Sequence, residues 1–139
     1  PPDQLISHAS LWELERRFES VGLDPHAAYD ERAVSGPFEP ETRAWLAHAA
    51  QAIALTVVSG TAFLDIDAVV IDGSMNRSLL MLLIDATQAA LVQYNWEGLW
   101  PARLIAGEVG PDARALGGAL MPWHGNFAPD QDLFLKSGA

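Results

Sequence analysis

Arg103-Leu-Ile-Ala-Gly-Glu-Val-Gly-Pro-Asp-Ala-Arg-Ala-Leu-Gly-Gly-Ala-Leu-Met-Pro122 is the run on which the reading of this chain turns. Its opening residues, Arg103 to Ala106, read as a strand, Gly110-Pro111-Asp112 as a tight turn, and the rest as a helix. Pro111 suits a first helical position, because its fixed φ and missing N–H cost nothing there. Gly117 and Gly118 each cost a helix about 1 kcal/mol relative to Ala, so the pair predicts a neighbouring backbone at close range. The expectation is a helix pressed onto an α/β core.

Upstream, Ala68-Val69-Val70-Ile71 is a continuous apolar run bounded by Asp67 and Asp72. A short β-branched run of this kind predicts a strand covered on both faces. Gly73-Ser74-Met75-Asn76 turns the chain, and an apolar helix then runs to Tyr94. Asn95 to Pro101 reads as a loop rich in Trp and Gly. Strand, helix, strand and helix in this order predict a right-handed parallel unit.

Toward the N-terminus, Gln4 to Glu19 reads as helical, with Ser10 able to open a second segment. Gly22-Leu23-Asp24-Pro25 forms a turn in which Asp24 suits an N-cap and Pro25 the first helical position. A short helix from His26 to Ala33 and a loop through Ser35-Gly36-Pro37 follow. Pro40 and Glu41 open a long Ala-rich helix that ends between Gly60 and Leu64.

Composition narrows the function classes. Half of the 139 residues are apolar and 19% are charged, which suits one folded domain rather than a disordered chain. The first residue is Pro, which predicts a piece of a longer protein. The 18 acidic residues outnumber the 8 basic ones, and Lys136 is the only lysine. Nucleic-acid binding depends on Lys and Arg displacing counterions from phosphates, so DNA contact is expected from elsewhere in the protein. Cysteine is absent, which removes disulfides and thiolate metal sites and suits a cytoplasmic location. Ala44 to Leu64 carries no charged side chain over a membrane-span length, but Ala, Gln, Ser, Thr and His are spread through it. It reads as a helix buried between protein layers.

The strongest candidate site is Asp72-Gly73-Ser74, at the carboxyl end of the first strand. Ligands bind at that edge of open α/β sheets, aided by free backbone N–H groups at the next helix start. In one reading Asp72 accepts from a ribose or sugar hydroxyl while Gly73 lets the backbone approach. In the other, Asp72 and Ser74 shape the turn and cap the helix. Asp65 with Asp67, and Asp130 with Asp132, read as solvated turn residues rather than a cation site. His8, His26, His48 and His124 have no metal-ligand spacing. Trp96, Trp100 and Phe127 lie in loops, either as interface aromatics or as plugs beneath a loop.

Four blocks, in order, resemble the C-terminal part of the ROK family, named for repressors, open reading frames and kinases. His8-Ala9-Ser10 leading to Leu14 is similar to the segment after that family's zinc-binding region. Trp45-Leu-Ala-His-Ala-Ala-Gln-Ala-Ile-Ala54 is similar to its long helix, and Leu64-Asp-Ile-Asp-Ala-Val-Val-Ile-Asp-Gly73 to its strand and following glycine pair. Pro111 to Pro122 resembles its final helix.

The resemblance implies an α/β fold: the helix-rich C-terminal part of an actin-like ATPase (ribonuclease H-like) fold, with a short, mainly parallel sheet. It implies that the phosphate-binding loop, the catalytic Asp, the Glu-x-Gly-His sugar motif and the zinc site lie upstream of Pro1. Asp72, Gly73 and Ser74 correspond to the adenosine-side loop, where the family's kinases tend to show Gly-Gly. A carboxylate there repels phosphates, which argues for a regulator over a kinase. The tail Phe127 to Lys136 looks like the ending of the family's regulators. The implied whole is a sugar-responsive transcriptional regulator, with a sugar kinase as the alternative. Its partners would be a sugar or sugar phosphate, DNA through an upstream segment, and a second copy of itself. No cofactor is expected in this chain, zinc belonging upstream, and no membrane.

Overall fold

The computed structural model of the chain describes residues 4–112. The final-helix reading with Gly117 and Gly118, and the readings of His124, Phe127, Asp130 and Asp132, lie outside the described residues.

Helix α1 (Leu5–Ala9) and helix α2 (Leu11–Ser20) are divided at Ser10, which is extended. The Ser10 hydroxyl accepts from the Glu13 N–H at 3.3 Å, which satisfies one of the free donors of the new helix. Leu14 and Phe18 of α2 are fully buried, and the Phe18 ring meets Phe38 edge-on at 5.0 Å.

Asp24 and Pro25 act as their types predict: the Asp24 carboxylate accepts from His26 N–H at 3.0 Å and a 3₁₀ turn follows over Pro25–Tyr29. The single helix expected from His26 to Ala33 is instead two 3₁₀ turns, the second being Glu31–Val34. Asp30 separates them: its backbone is extended, and its carboxylate caps the second turn by accepting from the Arg32 N–H at 2.9 Å. The Arg32 guanidinium then forks between Asp30 and Asp24, at 2.7 and 2.8 Å. Its hydrogen bonds hold both carboxyls below their ordinary range.

A third 3₁₀ turn, Gly36–Phe38, leads into helix α3 (Glu39–Leu64). Thr42, Trp45, Leu46, Ala49, Ala50, Ala54, Val57 and Thr61 form its buried stripe at helical spacing. By length and composition α3 suffices to cross a membrane. In this structure α3 contacts α1, α2 and the helix that follows the first strand. Asp65 ends α3 by adopting the left-handed conformation (φ 49°), its N–H bonding Thr61 O. Short polar side chains tolerate that conformation best after Gly.

Strand β1 (Ala68–Ile71), helix α4 (Arg77–Leu91) and strand β2 (Arg103–Ala106) form the expected parallel unit. Val69 pairs with Leu104 and Val70 with Ile105. The chain is thus a helix-rich mixed α/β structure with a short two-stranded parallel sheet. Leu79, Leu80, Leu83 and Ile84 of α4 join Leu14, Phe18, Trp45 and Ala49 in one core, with Ile71, Leu104 and Ala106 packed against it. Each such fully buried aliphatic side chain contributes about 1.5–3 kcal/mol.

The sheet departs from expectation on its other face. Val70 is 63% exposed and Ile105 41%. Both helices that touch the sheet do so through Val69, Ile71, Leu104 and Ala106, so among the described residues only one face is covered. Trp96 plugs the second core cluster and donates its indole N–H to Leu91 O at 3.0 Å, whereas Trp100 stands exposed. His48 is exposed, with Nδ1 2.8 Å from Ala44 O.

Candidate functional site at the carboxyl edge of the parallel strands

Two parallel strands deliver their carboxyl ends to one edge, so the residues after β1 and β2 must meet. The ladder runs one step past the strands, with Gly107 N–H donating to Ile71 O at 2.8 Å. That step brings Asp72 beside the loop that follows β2. The Asp72 carboxylate accepts from its neighbour Gly73 N–H at 2.8 Å. It also accepts from Val109 N–H and Gly110 N–H, both at 3.2 Å. Three backbone donors from two loops therefore converge on one carboxylate.

These bonds explain the electrostatics. The Gly73, Gly110 and Val109 N–H groups hold the Asp72 carboxyl below its ordinary value of 3.8, and the charge of Arg77 acts in the same direction. Hydrogen bonds to the charged form stabilise it over the neutral acid. Gly107 completes the contact. A Cβ on that residue would run into the Cβ, Cγ and Oδ2 of Asp72, so only glycine permits this approach. Gly110 has a positive φ of 56°, which presents its N–H in the tight turn Gly110–Asp112.

The start of α4 fixes the opposite wall. Asn76 is its N-cap and accepts from Leu79 N–H at 2.8 Å. Its side-chain amide also donates to Asp30 O at 2.5 Å, which ties the edge to the 3₁₀ segment. Arg77 donates to Gly107 O at 2.8 Å, and Ser78 donates to Glu31 at 3.2 Å. Met75, 7% exposed, anchors the turn in the core.

Of the three residues singled out from the sequence, Asp72 and Gly73 meet in one hydrogen-bonded turn. Ser74 lies between them and the helix but does not cap it, because Asn76 holds that place. The reading had missed Arg77, Gly107 and Gly110. Arg77 carried a usable signal, being the only basic residue between Ala44 and Trp100. Asn76, three residues before the apolar run that starts at Leu79, carried an N-cap signal. Gly107 and Gly110 carried none that set them apart from other loop glycines.

Asp65 serves as a helix terminus, and Asp67 accepts from Arg103 N–H through its backbone O at 3.0 Å. Among the described residues no group of His, Asp and Glu side chains has metal-binding geometry. An open groove of about 660 Å³ runs along α1 and α3, lined by residues such as Leu5, His8, His48, Leu55 and Tyr94. It lies away from the sheet edge and is mainly apolar. The carboxyl edge, where the backbone donors and the charges gather, is the stronger candidate. Searches against protein-family models, curated proteins and solved structures found no match to the chain.

Proposed function

We propose that this chain is the C-terminal effector-side and assembly portion of a sugar-responsive transcriptional regulator of the ROK type. In this reading it forms the back of one lobe of an actin-like ATPase fold. A DNA-binding segment, the sugar-selecting residues and the zinc site lie upstream, in a cytoplasmic homodimer or higher homo-oligomer. Sugar in the cleft shifts the lobes and so changes how the dimer presents its DNA-reading elements. The ligand acts through its differential affinity for the two arrangements.

One observation carries the choice of regulator over kinase. The family's kinases keep a glycine pair at the adenosine-side loop, whereas here Asp72 fills that turn and engages the Val109 and Gly110 amides. A carboxylate fixed there is a poor neighbour for nucleotide phosphates. The acidic balance of the chain supports delegating DNA contact elsewhere. Exposed Leu55, Phe63, Leu64 and Val92 support self-association.

The test uses the complete product of the native gene, its mass and N-terminal sequence first determined. DNA binding is measured against a panel of sugars, and ATP-dependent sugar phosphorylation is assayed on the same preparation. The expected result is DNA affinity that changes with one sugar and no phosphoryl transfer. Sugar phosphorylation at the expense of ATP would overturn the reading in favour of a kinase. Loss of both activities would leave an assembly module.

A further inference from the structure

We propose that Asp72 is a built-in anion: its carboxylate occupies a backbone amide nest that would otherwise accept a carboxylate or phosphate group from solution. The inference goes beyond the regulator reading, because it stands on the geometry of one edge and on no family property. Gly73, Val109 and Gly110 aim their N–H groups at a common point, and the two Asp72 oxygens fill it at 2.8 to 3.2 Å. Convergent backbone donors of this kind form anion sites in many loops, because each N–H carries a partial positive charge and several aimed together favour a negative group, here at a solvent-exposed edge. The long-range donors come from residues 37 and 38 positions along the chain. The nest is therefore assembled by the fold rather than by a local turn.

The surroundings reinforce the assignment. Arg77, on the first turn of α4, lends positive charge to the same point while its guanidinium holds Gly107 O at 2.8 Å. Gly107 leaves room for the carboxylate, which a Cβ at that position would displace. With all three donors and the positive charge committed to an internal carboxylate, a phosphate from a ligand meets filled acceptor space and like charge. Asp72 thus decides what the carboxyl edge can bind. It admits neutral hydroxyl groups at its rim and turns anions away.

Chemical rescue on the whole 139-residue chain tests this. Asp72→Ala removes the carboxylate and leaves a hole that formate matches in size and charge. Asp72 has no positive φ, so alanine fits its backbone. Amide resonances of Val109 and Gly110 are followed by NMR, with sodium formate, then inorganic phosphate, titrated against sodium chloride at equal ionic strength. The expected result is saturable shifts of both amides in D72A, a thermal midpoint for D72A that rises with formate, and neither effect in the wild type. Asp72→Asn keeps a neutral acceptor in place and is expected to show no response.

Should D72A be unfolded in chloride, recovery of its fold in formate supports the proposal equally. The proposal is overturned if D72A, folded or not, responds to formate and phosphate no more than to chloride. It is also overturned if the wild-type amides of Val109 and Gly110 respond to either anion, since the nest would then be open. Sugar-dependent DNA binding by the complete protein is read separately, so failure here leaves the regulator reading standing, and the reverse also holds.

Discussion

Asn76 joins two parts of the chain that lie 46 residues apart, and replacing it tests how the candidate site is held. Its side chain makes two bonds of different kinds. The cap to Leu79 N–H satisfies a free donor of α4, and losing such a cap costs about 1 kcal/mol. The amide donated to Asp30 O is a half-buried neutral bond worth about 1 kcal/mol net. Asn76→Ala removes both and is expected to cost about 2 kcal/mol, or about 4–8 °C in thermal midpoint for a domain of this size. Asn76→Ser keeps an oxygen able to cap but cannot reach Asp30, so it should cost about half as much. Urea denaturation of the wild type and both variants gives the comparison, with equal m-values as the sign that the unfolded state is unchanged. A loss under about 0.5 kcal/mol for Asn76→Ala, the range of ordinary surface changes, would refute the account. So would a serine variant no better than alanine, since the cap would then contribute nothing.

Gly107→Ala should destabilise by about 1–3 kcal/mol, because its new Cβ meets Asp72. In the D72A background the penalty should shrink, giving a double-mutant coupling above about 0.5 kcal/mol; purely additive losses would place the strain elsewhere. Leu83→Ala, at a side chain 1% exposed, should cost about 2–5 kcal/mol in the same denaturation assay, and a loss below about 1 kcal/mol would mean that α4 is not packed as described. Asp72 also makes a pH prediction. Its folded-state value lies below the ordinary 3.8, so its contribution is fully present above that value and is lost as pH falls through the lower one. Asp24 and Asp30, lowered by Arg32, share the sign. The Gly110 amide resonance should titrate with a midpoint below 3.8, and a midpoint at or above it would contradict the bonds described.

Much of the fold was legible because its determinants are local. Ser10 and Asp24 each accept from a backbone N–H within one turn, and Pro40 with Glu41 suits the first turn of α3 through a fixed φ and an acidic side chain. The two strands were bounded correctly because a short β-branched or apolar run between charged or loop residues has few alternatives. The errors have physical causes too. Asp30 split the helix expected from His26 to Ala33 because one carboxylate served both the backbone and the side chain of Arg32. The apolar run of β1 suggested cover on both faces, but periodicity reports only how apolar a strand is. Which element packs on each face is decided by the whole topology.

The candidate site shows where local reading stops. Residue type and position alone leave Asp72 either a ligand acceptor or a turn-former, and in the structure its carboxylate accepts from backbone donors of two loops. Which donors it finds depends on β2 lying parallel to β1 in a register that sets Gly107 one step beyond Ile71. A shift of one residue in that register would take Val109 and Gly110 away from the carboxylate and turn every side chain of β2 to the other face. The Val69–Leu104 contact with the core prevents such a shift. The packing of one face of the sheet therefore determines whether the edge presents a free carboxylate or a filled nest. Substituting sheet residues that pack against the core, such as Leu104, should accordingly disturb the Gly110 amide from a distance. That disturbance would separate an Asp72 held by the fold from one held only by its own turn.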